Sequence, residues 1–431
     1  MTVLHLQLAL VEQKKAYGTQ LPCPQSGTTT DTITSLPGEL TDEGRETTRA
    51  LGQRLRRLYV DQLNFIPANL SSTEPFYLRA TPIPRALESV QQVFYGLYPP
   101  TTRSPTLPPP QIVTRSPNDE TLYPNEGACR RFAQLSHAFA QRTADRWNES
   151  DEMAYLNNLI SKWMPEDSPK VKVDSHPRLS GIMDTVNSTL AHGPLTRLPK
   201  EFYDDKGREI IDKIGVEEWY SGYGESREYR MLGIGGLLGD VVGRMVDHVR
   251  LQNGIKTVPG TEDVQFALSG CHDTTLASVL ASLGAFDGEK WPPYTSHIAI
   301  ELFKRQIPSA SAPGAVEPAT TGSSSWWTKI FGSPAEVIKG PSSSRTPLTQ
   351  MSASEKGGLD GYFVRLRYND RVMTVPACRP EGKHYEDDES ICTLETFKGV
   401  VDKFTPQNWK RACNSNIGES AFPESPEPAG A

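Results

Sequence analysis

Val264-Gln265-Phe266-Ala267-Leu268-Ser269 runs into Gly270-Cys271-His272-Asp273 and then into Thr274-Thr275-Leu276-Ala277-Ser278-Val279-Leu280-Ala281-Ser282-Leu283-Gly284. The opening run is short and mostly apolar, the pattern of a buried strand. Beyond the junction, Leu276, Val279, Leu280 and Leu283 recur at helical spacing and Gly284 stops the helix. A side chain at the end of a buried strand, just ahead of a helix, sits where backbone N–H groups converge, and that suits an anion. His272 there can donate to a phosphoryl oxygen. Asp273 beside it can hold a proton for a departing alkoxide if its surroundings raise its pKa. Taken alone, Asp273 reads as readily as a helix cap.

A second strand–helix junction lies far upstream. Phe76-Tyr77-Leu78 is a short strand, Arg79-Ala80-Thr81 follows, and a helix runs from Pro84 to Phe94. A guanidinium keeps its charge and makes paired hydrogen bonds to phosphate, so Arg79 is the natural clamp for a monoester, although taken alone it reads more readily as an ordinary surface arginine. Arg85 reads instead as an internal ion pair or a helix-surface charge. Ahead of this strand, Thr41 caps a helix over Leu40–Asp61, with Asp42 and Glu43 in its first turn. Residues 99–117 are rich in proline and mark a domain boundary. From Cys129 to Leu251 the pattern is mainly helical. One helix is expected over Tyr229–Val249, its glycines explained by close packing against another helix. Ser296–Lys304 and Tyr362–Tyr368 read as strands, and the segment from Tyr17 to Ser35 as loop. Strands alternating with helices predict an α/β sheet domain. Residues 1–105 and 254–413 form its discontinuous core, and 106–253 an inserted, mainly helical cap domain. Residues 307–358, rich in Ser, Pro, Gly, Ala and Thr, read as a disordered insertion, and 414–431 as a flexible tail.

Composition narrows the function classes. The chain has 431 residues, enough for a large core without disulfide staples. Its net charge of −7 argues against a broad nucleic-acid or anionic-membrane surface, though a local basic pocket remains compatible with it. No apolar run approaches the ~20 residues of a membrane span. The six cysteines include no CxxC pair, so a zinc ribbon or thioredoxin motif is not expected. Cys378 and Cys392 could close a short loop, but six cysteines fit a reduced protein equally well. The start of the chain does not read as a signal peptide. That leaves a cytoplasmic location by default, or a secretory or vacuolar one if an N-terminal segment is missing. Sequons at Asn69, Asn148 and Asn187 do not decide the compartment.

Three motifs together resemble the histidine acid phosphatases, which share a fold with phosphoglycerate mutases and phytases. Gly38-Glu39-Leu40-Thr41-Asp42-Glu43-Gly44 is similar to the family's G-x-L-T-x-x-G helix start. Arg79-Ala80-Thr81 through Arg85 to Ser89 is similar to its R-x-T-x-x-x-R-x-x-x-S block. Ser269 to Leu276 resembles its G-H-D-T-T-L block, with Cys271 inserted after the glycine. The resemblance implies a phosphoglycerate mutase-like sheet flanked by helices. It also implies a phosphate monoester substrate, with no metal and no other cofactor. In the family a histidine attacks phosphorus, an aspartate protonates the leaving oxygen, and water releases phosphate. Carried over, Arg79 and His272 would bind the phosphoryl oxygens, His272 would stabilise the transferring group, and Asp273 would be the general acid.

One family element is missing. The family opens with a strand ending in R-H-G-x-R-x-P, which holds the nucleophilic histidine, and this chain has no such motif. His5 lacks the flanking residues and is not taken as the nucleophile. The family's first strand is expected to be absent or improvised from Val3 to Leu10. Two explanations follow: a chain lacking its nucleophile-bearing segment, or a catalytically inactive binding module on the same fold. A metal-dependent His-Asp hydrolase is the weaker rival. His137, His176, His192 and His248 are scattered, and His384 with Asp387 and Asp388 sits in an acidic run.

Overall fold

The structure is a computed structural model. It describes residues 39–255, 264–286, 288–306 and 345–431, together with the backbone of residues 2–11. The loop expected over Tyr17–Ser35, and most of the insertion expected over 307–358, lie outside the described residues.

The elements run β1 (Thr2–Val11), α1 (Asp42–Leu55), β2 (Phe76–Ala80), α2 (Pro84–Leu97) and β3 (Ile112–Val113). Helices α3 (Arg130–Trp147), α4 (Asp151–Ile160), α5 (Leu179–His192), α6 (Asp205–Glu225), α7 (Arg227–Gly233) and α8 (Gly235–Gln252) come next. Then follow β4 (Phe266–Cys271), α9 (Asp273–Ser282), β5 (His297–Lys304), α10 (Ala353–Gly357), β6 (Tyr362–Tyr368) and β7 (Arg371–Met373). The chain closes with β8 (His384–Tyr385), β9 (Asp388–Thr393), α11 (Leu394–Asp402) and α12 (Trp409–Ala412). The fold is α/β, with helices between β3 and β4 where the cap was expected.

The sheet runs β3-β2-β4-β1-β5-β6-β9-β8, with β7 paired to β6. Strands β3, β2, β4 and β1 are mutually parallel and the rest antiparallel. Strand β1 stands in the sheet interior, Val11 beside Cys271 on one side and Leu10 beside His297 on the other. The position expected to be empty or improvised is thus filled by Thr2–Val11.

Two apolar layers follow from the period-2 alternation of the strands. Leu78, Phe266, Leu268 and Ala299 pack with Leu51, Leu55, Val90, Val93 and Phe94 of α1 and α2. On the opposite face Ile298, Ile300 and Leu366 join Leu276 and Leu280 of α9, Phe397 of α11 and the inserted helices. Helix α1 is capped as read, the Gly44 N–H donating to Thr41 Oγ1 at 3.1 Å, and it continues as a wider turn over Arg56–Gln62. Between α1 and α2 two glycines meet: a Cβ on Gly52 would lie 2.1 Å from the Val93 carbonyl oxygen, and one on Gly96 2.2 Å from that of Arg49.

Three details differ from the sequence reading. The helix expected over Tyr229–Val249 breaks at Ile234, which takes φ −139° and divides α7 from α8. The flanking glycines do admit close neighbours, but those beyond the break face a loop rather than a helix. A Cβ on Gly235 would meet the Phe404 carbonyl oxygen at 2.1 Å, and one on Gly239 the Thr405 methyl at 2.6 Å. Arg85 is buried, which removes the surface-charge half of its reading. Finally, the segment after Asn414, expected to be a flexible tail, lies along the body. Arg131 of α3 donates to the carbonyls of Glu419 (3.0 Å) and Ser420 (2.6 Å), and the Ala377 N–H donates to that of Gly430 at 2.7 Å. Two disulfides close, Cys378–Cys392 and Cys129–Cys413.

Candidate active site

Strands β2 and β4 run parallel with Arg79 opposite Ser269 and Ala80 opposite Gly270, so both strand–helix junctions emerge at one edge of the sheet. The register continues one step past the strand, where the Thr81 N–H donates to the Gly270 carbonyl at 3.1 Å. Gly270 is needed here: a Cβ would lie 2.4 Å from the Ala86 carbonyl oxygen of α2. The close approach of β4 to α2 brings the two junctions together.

Arg79 is fully buried. Its Nη2 donates to Glu120 Oε1 and, at 3.1 Å, to Thr121 Oγ1. Among the described residues its Nε and Nη1 have no partner. A buried donor without an acceptor carries a desolvation cost of ~1–3 kcal/mol, more for a charged group, which an incoming anion would remove. Glu120 is also fully buried, and its Oε1 accepts the N–H groups of Thr121 and Leu122, each at 2.7 Å. The carboxylate therefore anchors one arm of the guanidinium, while Nε and Nη1 lack a partner among the described residues.

His272 caps α9. Its backbone N–H donates to Thr275 Oγ1 at 3.2 Å, its Nε2 is hydrogen-bonded with Thr81 Oγ1 at 3.2 Å, and the Tyr123 ring stands edge-on 5.6 Å away. Thr275 Oγ1 donates in turn to the Leu122 carbonyl. The Glu120–Tyr123 loop thus touches both Arg79 and the His272 junction. Asp273, first in α9, accepts the Thr274 N–H on Oδ1 and the Trp291 indole N–H on Oδ2, both at 2.8 Å. Tyr220 of α6 and Tyr294 lie within electrostatic range of Asp273. Burial first raises both phenols above the usual tyrosine range; the next cause is the charge of Asp273 for Tyr220, and that of Asp184 ahead of Asp273 for Tyr294.

The three residues singled out from sequence, Arg79, His272 and Asp273, therefore share one buried edge. Glu120, Thr121, Tyr123 and Trp291 also line it and carried no sequence signal, since they sit in irregular segments without periodicity. His5 lies mid-strand in β1, opposite Leu302. Val11, at the edge that carries Arg79 and His272, is six positions further on, about 20 Å along an extended chain. The residues that follow Val11 lie outside the described residues, and the sequence holds no histidine from Glu12 to Gly38. Among the described residues, no group of three or more His, Cys, Asp or Glu side chains is disposed to hold a metal ion. No described helix is long and apolar enough to cross a membrane.

Comparison with known proteins gives this edge a context. A family model described as histidine phosphatase superfamily (branch 2) matches residues 5–312. A Schizosaccharomyces pombe protein named as a probable acid phosphatase is 37% identical over 396 residues, covering 92% of this chain and 80% of that protein. Human lysophosphatidic acid phosphatase type 6 is 28% identical over 274 residues, covering 62% of this chain and 57% of its own length. The phytase of Citrobacter braakii superposes with a TM-score of 0.56 at 13% identity, over 96% of this chain and all of that one, a likeness of fold. The chain belongs to branch 2 of the histidine phosphatase superfamily.

Proposed function

We propose that this fold serves the hydrolysis of phosphate monoesters by a two-step phosphohistidine route, and that the segment bearing the nucleophile is missing from this chain. The observation that carries the reading is Arg79: a fully buried guanidinium with two N–H-bearing nitrogens unpartnered among the described residues, on the same edge as His272 and Asp273. Arg79 holds two phosphoryl oxygens, and His272 adds a donor to the charge that builds on them. In the first step the P–O bond to the alcohol breaks as a nitrogen–phosphorus bond forms, and Asp273 gives its proton to the leaving oxygen. In the second, water attacks phosphorus, Asp273 takes the water's proton, and the histidine leaves with phosphate released.

The position of His5 favours a second reading, in which this chain binds phosphate esters without turning them over. Losing a covalent nucleophile costs many orders of magnitude in rate. The two readings separate in one experiment. A phosphomonoester assay at acidic pH is run on this chain and on a version carrying R-H-G-x-R-x-P after β1, with phosphate binding followed by calorimetry. Turnover only in the extended version supports the missing segment. Phosphate binding that Arg79→Ala abolishes, with turnover in neither version, supports the binding module. Absence of both binding and turnover overturns the phosphoryl site.

A further inference from the structure

Asp273 is gripped from outside its own helix by Trp291. The indole Nε1–H reaches Oδ2 at 2.8 Å, while the Thr274 backbone N–H takes Oδ1 at the same distance. Trp291 lies between α9 and β5, in no helix or strand, and yet is fixed on several sides. Its backbone N–H donates to Asp212 Oδ1 of α6 at 3.0 Å. Its ring packs on Tyr220 at 5.0 Å and meets Trp219 edge-on at 6.0 Å, both also from α6. A loop side chain anchored this firmly to the helical insertion, and spending its one polar atom on Asp273, acts as a strut for that carboxyl group.

An indole N–H donates and never accepts. Its bond to Asp273 is therefore strongest when the carboxylate is ionised, and a hydrogen bond to the charged form favours that form. The start of α9 acts in the same direction. Resting on the phosphatase reading above, we propose that Trp291 is a positioning residue for the general acid: it fixes the plane of the Asp273 carboxyl and restrains its proton affinity, so that a proton for the leaving oxygen is available only in acid. When Asp273 has given up that proton, the same indole N–H stabilises the carboxylate left behind until it takes the proton of the attacking water. Tyr220 from α6 and Tyr294 ahead of β5 lie in electrostatic range of Asp273, Asp184 from α5 and Arg85 from α2 act on those phenols, and His272 precedes Asp273 in the chain. Both phenols stay neutral through the acid range because burial and negative charge raise them. Asp184 adds to the negative charge that both phenols meet.

Two readouts test the strut. In the turnover-competent protein, the pH profile of kcat is measured with an alkyl phosphate, whose leaving group needs the proton, and with p-nitrophenyl phosphate, whose leaving group does not. Trp291→Phe keeps a ring and loses the donor. It moves the alkaline limb for the alkyl phosphate up by about one pH unit and leaves the p-nitrophenyl limb in place. Trp291→Tyr, which restores a donor, moves the limb back toward wild type, and Asp184→Asn leaves the difference between Trp291→Phe and its parent intact. The second readout needs no turnover: the ¹H–¹⁵N resonance of the Trp291 indole, followed from acid to neutrality in the chain as it stands. A titration in the acid range that vanishes in Asp273→Asn supports the strut. A resonance that stays flat, or an alkyl-phosphate limb that does not move in Trp291→Phe, overturns it. Absence of turnover and phosphate binding with the indole titration intact would instead count against the phosphatase reading alone.

Discussion

Arg79 is anchored through one nitrogen and leaves two unpartnered among the described residues, so its neighbours decide where it points. Arg79→Lys keeps the charge but not the planar fork, and phosphate affinity falls about tenfold to a hundredfold by calorimetry. Glu120→Gln leaves a buried guanidinium without its counter-charge. Stability drops by ~3–5 kcal/mol in denaturant unfolding, and phosphate affinity falls with it. At this scale the sequence points to residues where chemistry coincides with a strand–helix junction, as at Arg79, His272 and Asp273, which the fold brings to one edge. It was silent where a residue reaches the site from a loop. Glu120 follows a short turn over Pro117–Asp119, and Trp291 lies outside every regular element, so neither sits in a repeat that would mark its direction.

Packing of elements depends on a few positions without side chains. Gly52 and Gly96 let α1 and α2 touch backbone to backbone, and there is no flexible atom to give way. Gly52→Ala forces the helices apart and destabilises the fold by about 3 kcal/mol, read as a lowered midpoint of urea unfolding. Gly270→Ala drives β4 off α2, and phosphate affinity suffers more than overall stability, because His272 moves relative to Thr81. Helical periodicity revealed that α1 and α2 exist; it could not reveal that they meet through glycine, since a missing side chain leaves no mark on an apolar pattern. The break at Ile234 escaped for a related reason. The apolar stripe continues across it, and the close approach of the Phe404–Pro406 loop to Gly235 and Gly239 just beyond the break leaves no mark on that stripe.

Long-range ties hold the whole molecule together. Cys129–Cys413 joins the start of α3 to the end of α12 across 284 residues, while Cys378–Cys392 spans 14. The longer closure restricts the unfolded chain more, by roughly 5 kcal/mol against about 3, so Cys129→Ser lowers Tm further than Cys378→Ser. Behind the sheet, Glu301 is fully buried and accepts from Tyr59 Oη at 2.6 Å and Arg365 Nε at 2.7 Å, while Arg367 Nη2 donates to Tyr59 Oη at 2.7 Å. Asp240 of α8 is one carboxyl that contributes a pH dependence. Burial pushes its carboxyl up, but Arg345 and Arg115 outweigh burial and bring it below the usual range. A carboxyl depressed in the fold adds stability above its unfolded pKa and loses it as pH falls through the folded one. Asp240→Asn therefore lowers stability at neutral pH and flattens its decline in acid, as unfolding curves across that range would record.

The central position of β1 has a consequence for synthesis. Leu6 pairs with Phe266, about 260 residues later, so the first strand leaves the ribosome long before either neighbour exists. At typical translation rates that interval is on the order of twenty seconds, during which an apolar segment with two open hydrogen-bonding edges has no sheet to join. Pairing of β1 must wait for β4 and β5, so refolding from denaturant is expected to be slow and concentration-sensitive, and dilution refolding at several protein concentrations would show it.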